Sequence, residues 1–526
     1  MLLLSAYLLA FSHASGVARP HHAKKQVPVA STEVIWTGYG GNAQHTAESA
    51  YSPSGYGRIC WSASQDTGNE DNAIHYGSSS LTANTIIVPV KDDSDFEYVG
   101  HTISSGEVLW TYLSTYKLPP SGWDWVPPVS GTLLPDGSYA GPQAGGGVFI
   151  RHNSDLAVQP AQCYYPFPGG VVSVAPYMRN VFSVTPLTAD LRGNVYYGIR
   201  TYGSVPNGMA NCFAKMSETG AFTFYVCPPN FQPSFSTVPA LSNDGTTLYV
   251  AENDNGTGAS HLIGLSTATM QQTLDALLID PSNGEYAECI PETTASPMVG
   301  PDGDVYFGVM GSPFYDHGDR GFLLHFDANL NLKGVPGAFG WDDTPSVVPA
   351  SSVPSYRGAA SYLLFCKYNN YADGTGGQGN NMVAVIDPTA QYTEPTYGLQ
   401  VMKPVYTVLG VTLDPNNDQQ FPNAVKEWCI NSAAVDVNGK SIVVNSEDGS
   451  VYKLDLTTGT LTSHIAITGG ASEAYTSTIV AKDGTSFAVS AAKIYAIRAR
   501  SATVANPPAL ALNSKSVKSR SGSPKR

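Results

Sequence analysis

Charge is scarce in this chain: Asp, Glu, Lys and Arg make up only 13% of its 526 residues, against about 25% in ordinary globular proteins. What charge there is belongs to one sign. Residues 33–500 hold all 42 acidic side chains and 20 of the 28 basic ones, a net of −22. A body of that sign repels nucleic acid and anionic lipid, which excludes both as main partners. Beyond the first residues no stretch approaches the roughly 20 apolar positions of a membrane helix. The chain also lacks G-x-S-x-G, H-E-x-x-H, G-x-x-x-x-G-K and a Rossmann turn on a βαβ unit, so the enzyme classes those motifs serve find no support. Gly374-Thr-Gly-Gly-Gln-Gly379 fits a dinucleotide fingerprint only formally, because it lies in a polar loop with no helical pattern after it. A site assembled from separate units would leave no local motif, so these absences weigh against catalysis without closing the question.

Cysteine is sparse and badly spaced for metals. The seven are Cys60, Cys163, Cys212, Cys227, Cys289, Cys366 and Cys429, with no C-x-x-C among them. Cys212 and Cys227 fall on neighbouring expected strands, where an oxidising compartment would bridge them; burial as reduced thiols is the alternative.

The ends differ from the body. Met1–Phe11 is an apolar run too short to span a bilayer, and Ser12-His-Ala14 follows it with small residues at the cleavage spacing. The expectation is a signal peptide over 1–14 and a flexible leader over 15–33, hence a secreted or periplasmic protein. An uncleaved anchor is the alternative, because Met1 is followed by leucines and not by a positive residue. Residues 501–526 carry Lys515, Lys518, Arg520, Lys525 and Arg526 with no acid and no periodicity, and read as a disordered basic tail.

What is present in quantity is Gly (52) and Tyr (30), the composition of many short strands joined by tight turns. A phrase recurs: an apolar stretch, a turn containing Gly or Asn, then an alternating strand. It reads Leu133-Leu-Pro-Asp-Gly-Ser-Tyr-Ala140, Leu241-Ser-Asn-Asp-Gly-Thr-Thr-Leu-Tyr-Val250, Met298-Val-Gly-Pro-Asp-Gly-Asp-Val-Tyr-Phe-Gly308 and Val435-Asp-Val-Asn-Gly-Lys-Ser-Ile-Val-Val444. Further copies start at Leu81, Leu187 and Ile479, with a weaker one at Ser355–Leu364. Asp-Gly and Asn-Gly between alternating runs mark hairpins, expected here as primed turns with positive φ at both central residues. Gly449-Ser-Val-Tyr-Lys-Leu-Asp-Leu-Thr-Thr-Gly459 and its relatives at Gly106 and Gly220 supply a second hairpin per unit. Two hairpins per unit make a four-stranded meander, and meanders repeated radially make a β-propeller. The prediction is all-β: one propeller over 34–500 with about eight four-stranded blades, seven being the alternative. The 81-residue step between Gly358 and Gly439 leaves room for an insertion or a ninth, degenerate unit.

The repeat x-D-G-x-V-Y-x-G … L-x-x-x-D-x-x-T-G-x-x-x-W resembles that of the pyrroloquinoline-quinone dehydrogenase-like propeller superfamily. Trp36-Thr-Gly-Tyr-Gly-Gly-Asn-Ala-Gln-His45 looks like that family's entry segment. The resemblance implies eight blades and an N-terminal strand that completes the last one, a role for which Gly57-Arg-Ile-Cys-Trp61 has the right shape. It also implies two candidate functions. One is oxidation of an alcohol or sugar with pyrroloquinoline quinone and calcium. The adjacent cysteine pair of the alcohol-oxidising branch is missing here, however, and no catalytic base can be matched. The other, preferred, is a non-catalytic binding or scaffold protein that uses its loop face or central channel for a partner protein, polysaccharide or small ligand, and acts as a monomer.

Three groups of side chains are candidates for a ligand face. Trp123-Asp124-Trp125 could stack on a flat ligand or a sugar, although packing between blades uses Trp in the same way. Trp341-Asp342 has the same two readings. Asp316, His317 and Asp319 lie within four residues and offer two carboxylates and an imidazole to a metal, against the plainer reading of a polar turn. The long connections at 111–129, 309–321 and 367–381 are expected on the binding face.

Overall fold

The computed structural model describes residues 32–500 apart from 69–75, 121–126, 168–173, 206–207, 290–293, 314–318, 373, 375, 416–419 and 470–475. The expected signal peptide, most of the leader and the basic tail lie outside the described residues. So do Trp123, Asp124, Trp125, Asp316 and His317.

The repeat builds an eight-bladed propeller of meandering antiparallel sheets. Blade 1 is Ser80–Thr82, Thr85–Asp92, Asp95–Thr102 and Val108–Ser114, counted from the axis outward. Blade 2 is Thr132–Leu133, Tyr139–Gln143, Gly147–Arg151 and Ala161–Tyr164. Blade 3 runs Thr188–Ala189, Val195–Thr201, Cys212–Met216 and Phe222–Val226, and blade 4 runs Ala240–Leu241, Thr247–Asp254, Ser260–Ser266 and Gln272–Leu277. In both, a short extra strand, Val181–Ser183 or Phe231–Pro233, pairs with the far end of the second strand. Blade 5 has Met298–Val299, Val305–Val309 and Phe322–Phe326, with single bridges from Leu332 and Gly337 at its outer edge. Blades 6 and 7 are Ser346–Pro349, Tyr362–Lys367, Met382–Thr393, Gln400–Leu409 and Ala434–Asp436, Ser441–Asn445, Ser450–Asp455, Thr460–Ala466. Blade 8 takes Ile479–Val480, Ser486–Ser490 and Lys493–Arg498 from the end of the chain, and Arg58–Ser64 pairs with Lys493–Arg498 as its outer strand.

The weak copy at Ser355–Leu364 is displaced from the true hairpin of blade 6. Its inner strand is Ser346–Pro349, and a connection of irregular chain leads to Tyr362–Lys367. The 81-residue step comes from the length of that blade's outer strands, 12 and 10 residues, and from its connections, not from a ninth unit.

The Asp-Gly turns also differ from expectation, since only the glycine adopts positive φ: Gly137 at 80°, Gly245 at 68°, Gly303 at 92° and Gly484 at 80°. The Gly137 amide bonds the Leu134 carbonyl at 2.9 Å and the Leu134 amide bonds Ser138 at 2.8 Å, the pattern of a type I turn closed by a left-handed glycine. The aspartate completes the turn from its side chain, as in Asp136 Oδ1 accepting the Ser138 amide at 2.9 Å. In the Asn-Gly copy of blade 7 the left-handed residue is Lys440, at φ 51°.

Several buried tyrosines share a use. Their rings fill the seams between blades while the hydroxyls cross them: Tyr98 to the Val129 carbonyl at 2.7 Å, Tyr197 to Gly146 at 2.6 Å and Tyr249 to Ala328 at 2.8 Å. A phenol can bury a large apolar face and still satisfy its one polar atom on the next sheet. Cys212 and Cys227 are both buried free thiols, so the bridge considered from sequence is not made. Cys212 pairs with Val226, so Cys227 belongs to the alternate set of side chains and points to the other face of the blade. Cys212 packs toward blade 2 and Cys227 toward blade 4.

Candidate functional site

A meander places its first and third turns on one face of the propeller and its second turn, with the connection to the next blade, on the other. The long loops that the sequence singled out therefore share a face, called here the loop face. The axis below it is filled by the protein's own chain. Val34–Trp36 pairs with the inner strand of blade 1, and the chain then turns into the axis and returns as Glu48–Ser49 alongside Ala434–Asp436 of blade 7.

This entry segment is folded on itself and stitched to the blades by backbone bonds. Gly40 (φ 59°) and Gly41 (φ 83°) form its tight turn, and a Cβ on Gly41 would lie 3.0 Å from the Trp36 ring. Asn42 closes the turn with its side chain, donating to Thr46 Oγ1 at 2.7 Å and accepting from the Gln44 amide at 3.1 Å. The amide of the second residue in each of five inner strands then donates to a carbonyl of the segment. The bonds are Leu133 to Thr37 at 2.7 Å, Leu241 to Ala43 at 2.8 Å, and Val299 to Gln44, Val347 to Thr46 and Val435 to Ala47, each at 2.9 Å. Blades 2, 4, 5, 6 and 7 are thus held by one strip of chain.

At the level where the inner strands begin, a buried polar network surrounds the segment. The Tyr39 hydroxyl reaches Thr344 Oγ1 of blade 6 at 2.6 Å, the Thr294 carbonyl of blade 5 at 3.2 Å and Asn431 Oδ1 of blade 7. Asn431 Nδ2 donates back to Thr294 Oγ1 at 2.6 Å and to its carbonyl at 2.8 Å. Asp342 Oδ1 accepts from the Thr294 amide at 2.6 Å and from its hydroxyl at 3.1 Å. His45 Nδ1 bonds the Pro297 carbonyl at 2.7 Å, and burial lowers its pKa to about 4, so the ring is neutral at physiological pH. Burial raises the Tyr39 phenol above its ordinary value.

Of the sequence candidates, Trp341 and Asp342 stand at this rim and are buried. Trp341 packs edge-on to Tyr371, with ring centroids 6.1 Å apart, which is the packing reading; Asp342 is the network's carboxylate. Asp319 accepts the Gly321 amide at 3.2 Å, the geometry of a polar turn. Asp343, the last residue of the same Trp341-Asp-Asp343 motif, shared those two sequence readings. One of its oxygens accepts the Lys367 amide at 3.1 Å and the other, Oδ2, is sealed without a hydrogen-bond partner. Burial raises this carboxyl to about 7 against the attraction of Lys367, itself buried over the Phe339 ring at 5.4 Å. Sequence reasoning missed Tyr39, Thr294, Thr344 and Asn431. The available signal was a Ser or Thr just ahead of each inner strand, often before proline, as in Thr294-Ala-Ser-Pro, Asp343-Thr-Pro and Val184-Thr-Pro.

Among the described residues, Glu427, Cys429 and Glu447 bring donor atoms within 4.8 Å of one another. Lys426 already stands in this group, with Nζ 3.3 Å from Glu447 Oε1 and 3.2 Å from Asp414 Oδ1, and supplies the positive charge a metal would bring. A serine–histidine contact, Ser138 Oγ to His152 Nδ1 at 3.3 Å, joins the first and third turns of blade 2. There the carboxylate of Asp136 engages the serine at 3.0 Å, not the imidazole, which does not prepare a general base.

No family model and no curated protein matches the chain. Solved structures do match in fold. A europium-containing methanol dehydrogenase is similar at 10% identity and a TM-score of 0.50, over 88% of this chain and 89% of that one. BamB from Moraxella catarrhalis is similar at 12% identity and 0.40, over 84% and 98%. The dihydro-heme d1 dehydrogenase NirN in complex with DHE is similar at 11% and 0.43, over 77% and 68%. At these identities the likeness is one of architecture alone, that of an eight-bladed β-propeller.

Proposed function

We propose that this chain is a secreted or periplasmic, non-catalytic propeller that binds a partner protein, polysaccharide or small ligand on its loop face. The observation that carries the reading is the occupied axis. A quinone with calcium needs a flat slot and free oxygen ligands near the axis, whereas the Tyr39 phenol stands where blades 5, 6 and 7 meet and its hydroxyl is tied to all three. Asp342, a carboxylate of that rim, is bonded to Thr294, and the unpartnered Oδ2 of Asp343 next to it is a single oxygen where calcium takes about six to eight. The residues present do not fit such a group there, and no step of chemistry is assigned to it. The absence of an adjacent cysteine pair supports the same reading. A rigid, hydrogen-bonded axis instead suits a platform that presents loops in fixed positions.

The test is to add pyrroloquinoline quinone and calcium to the purified chain and follow thermal unfolding together with dye-linked oxidation of alcohols and aldoses. A ligand at 100 times its Kd stabilises the fold by about 2.7 kcal/mol, which unfolding detects readily. Unchanged unfolding and no turnover are expected. A shift accompanied by turnover would make the protein a quinoprotein dehydrogenase.

A further inference from the structure

Arg200, on the second strand of blade 3 near the loop face, is 5% exposed. Its Nε donates to the Pro233 carbonyl of blade 4 at 2.7 Å and its guanidinium lies 5.9 Å from the centre of the Phe235 ring. Its Nη2 is buried with no hydrogen-bond partner. The ionisable groups that act on it most are Tyr202, whose phenol also hydrogen-bonds the guanidinium, and the thiols of Cys289 and Cys227; none of them is a carboxylate. Burial holds the Cys289 thiol up at about 11, and burial together with Glu252 lifts Cys227 further, so both are neutral.

Glu252 faces the same seam, paired across its sheet with Pro233. It does not serve as the counter-ion. It stands against Cys227, burial raises its carboxyl to about 7, and its own Oε2 is sealed without a partner. A guanidinium stays protonated where a lysine would shed its proton. A desolvated cation without an anion is among the most unfavourable things a protein interior can hold. Beside Phe235, Ser236 adopts φ 68° and has a buried hydroxyl without a partner. Strained, unsatisfied donors of this kind concentrate at binding sites.

We propose that Arg200 anchors an anion subsite in the seam between blades 3 and 4, taking the carboxylate or phosphate group of a ligand that approaches from the loop face. Two Nη groups on a planar fork suit either oxyanion. The inference stands apart from the proposed function, because a buried cation needs its anion whether or not the loop face carries a partner.

The test measures Tm of the full chain at constant ionic strength with sodium phosphate or sodium succinate against sodium chloride, and follows phosphate directly by its phosphorus resonance. One of the two anions is expected to raise Tm saturably, by roughly 3 °C at 100 times its Kd. A phosphate preference would indicate a phosphorylated ligand and a succinate preference a carboxylic acid; either supports the subsite. Arg200→Met should abolish the shift and, in anion-free buffer, leave Tm equal to or above that of the parent, because an unpaired buried charge has been replaced by an apolar chain. Arg200→Lys, whose buried amine sheds its proton unless an anion binds, should retain at most a weakened shift. Glu292, three residues after Cys289 and outside the described residues, is replaced by Gln as a control, and E292Q should bind the anion as the parent does. The proposal is overturned if neither anion moves Tm or the phosphate resonance, if the shift survives in R200M, or if E292Q alone creates the anion response, which would make Glu292 the native counter-ion.

Discussion

Replacing Tyr39 by phenylalanine keeps the ring in the axis and removes only the hydroxyl. Of its three partners, Thr344 Oγ1 retains the Ser296 amide at 2.9 Å and the Thr294 carbonyl retains Asn431 Nδ2 at 2.8 Å. Asn431 Oδ1 is left buried without its donor. One orphaned buried acceptor costs about 1–3 kcal/mol. The assay is native-state amide exchange, which reads local opening as well as global unfolding. The Leu133, Leu241, Val299, Val347 and Val435 amides all donate to the entry segment, so they should exchange as one group. Y39F should speed that group by roughly 5- to 140-fold, the kinetic equivalent of the same energy. Amides inside the outer hairpins, such as Val443, which pairs with Lys453, should change less. Equal acceleration everywhere, or none in the five, would refute the view that Tyr39 fastens the segment that ties the blades together.

Asp343→Asn should alter the pH dependence of stability. The folded carboxyl titrates at about 7 and the unfolded one near 4, so between those values the folded state binds more protons and stability falls as pH rises. The difference between parent and D343N unfolding energies should therefore change by up to about 4 kcal/mol from pH 4 to pH 7; a flat difference would remove the assignment. His45, lowered to about 4, works with the opposite sign, so the comparison must be made between variants and not on the parent alone. Thiol titration of the unreduced, denatured chain should find all seven cysteines, and reductant should leave Tm unchanged. A titre of five, with a peptide linking Cys212 to Cys227, would contradict their opposite orientations.

The architecture was readable because each blade repeats its own local instructions. Asp-Gly and Thr-Gly turns, alternating strands and buried tyrosines state a four-stranded meander several times over, so errors in one copy are corrected by the others. Blade 6 was misplaced because its first hairpin has lost the Asp-Gly signal and its outer strands have lengthened. Turn type was misjudged for a related reason. The same dipeptide serves two hairpin geometries, and the choice rests on bonds such as Leu134 to Ser138 that composition does not reveal. The axial network was the least legible part. Tyr39, Thr294, Asp342, Thr344 and Asn431 span nearly 400 positions of sequence and contribute one or two side chains from each of four places.

Local chemistry by itself determined this protein's class, its blade pattern and the acidic surface it shows to solvent, because strand period, turn residues and net charge act over a few neighbouring positions. Only the closed ring decided that residues 37–47 fill the axis, that Asp343 titrates near neutrality and that Arg200 is buried with no carboxylate paired to it among the described residues. Those properties depend on desolvation and on distances between blades, and both come into being when the eighth blade meets the first.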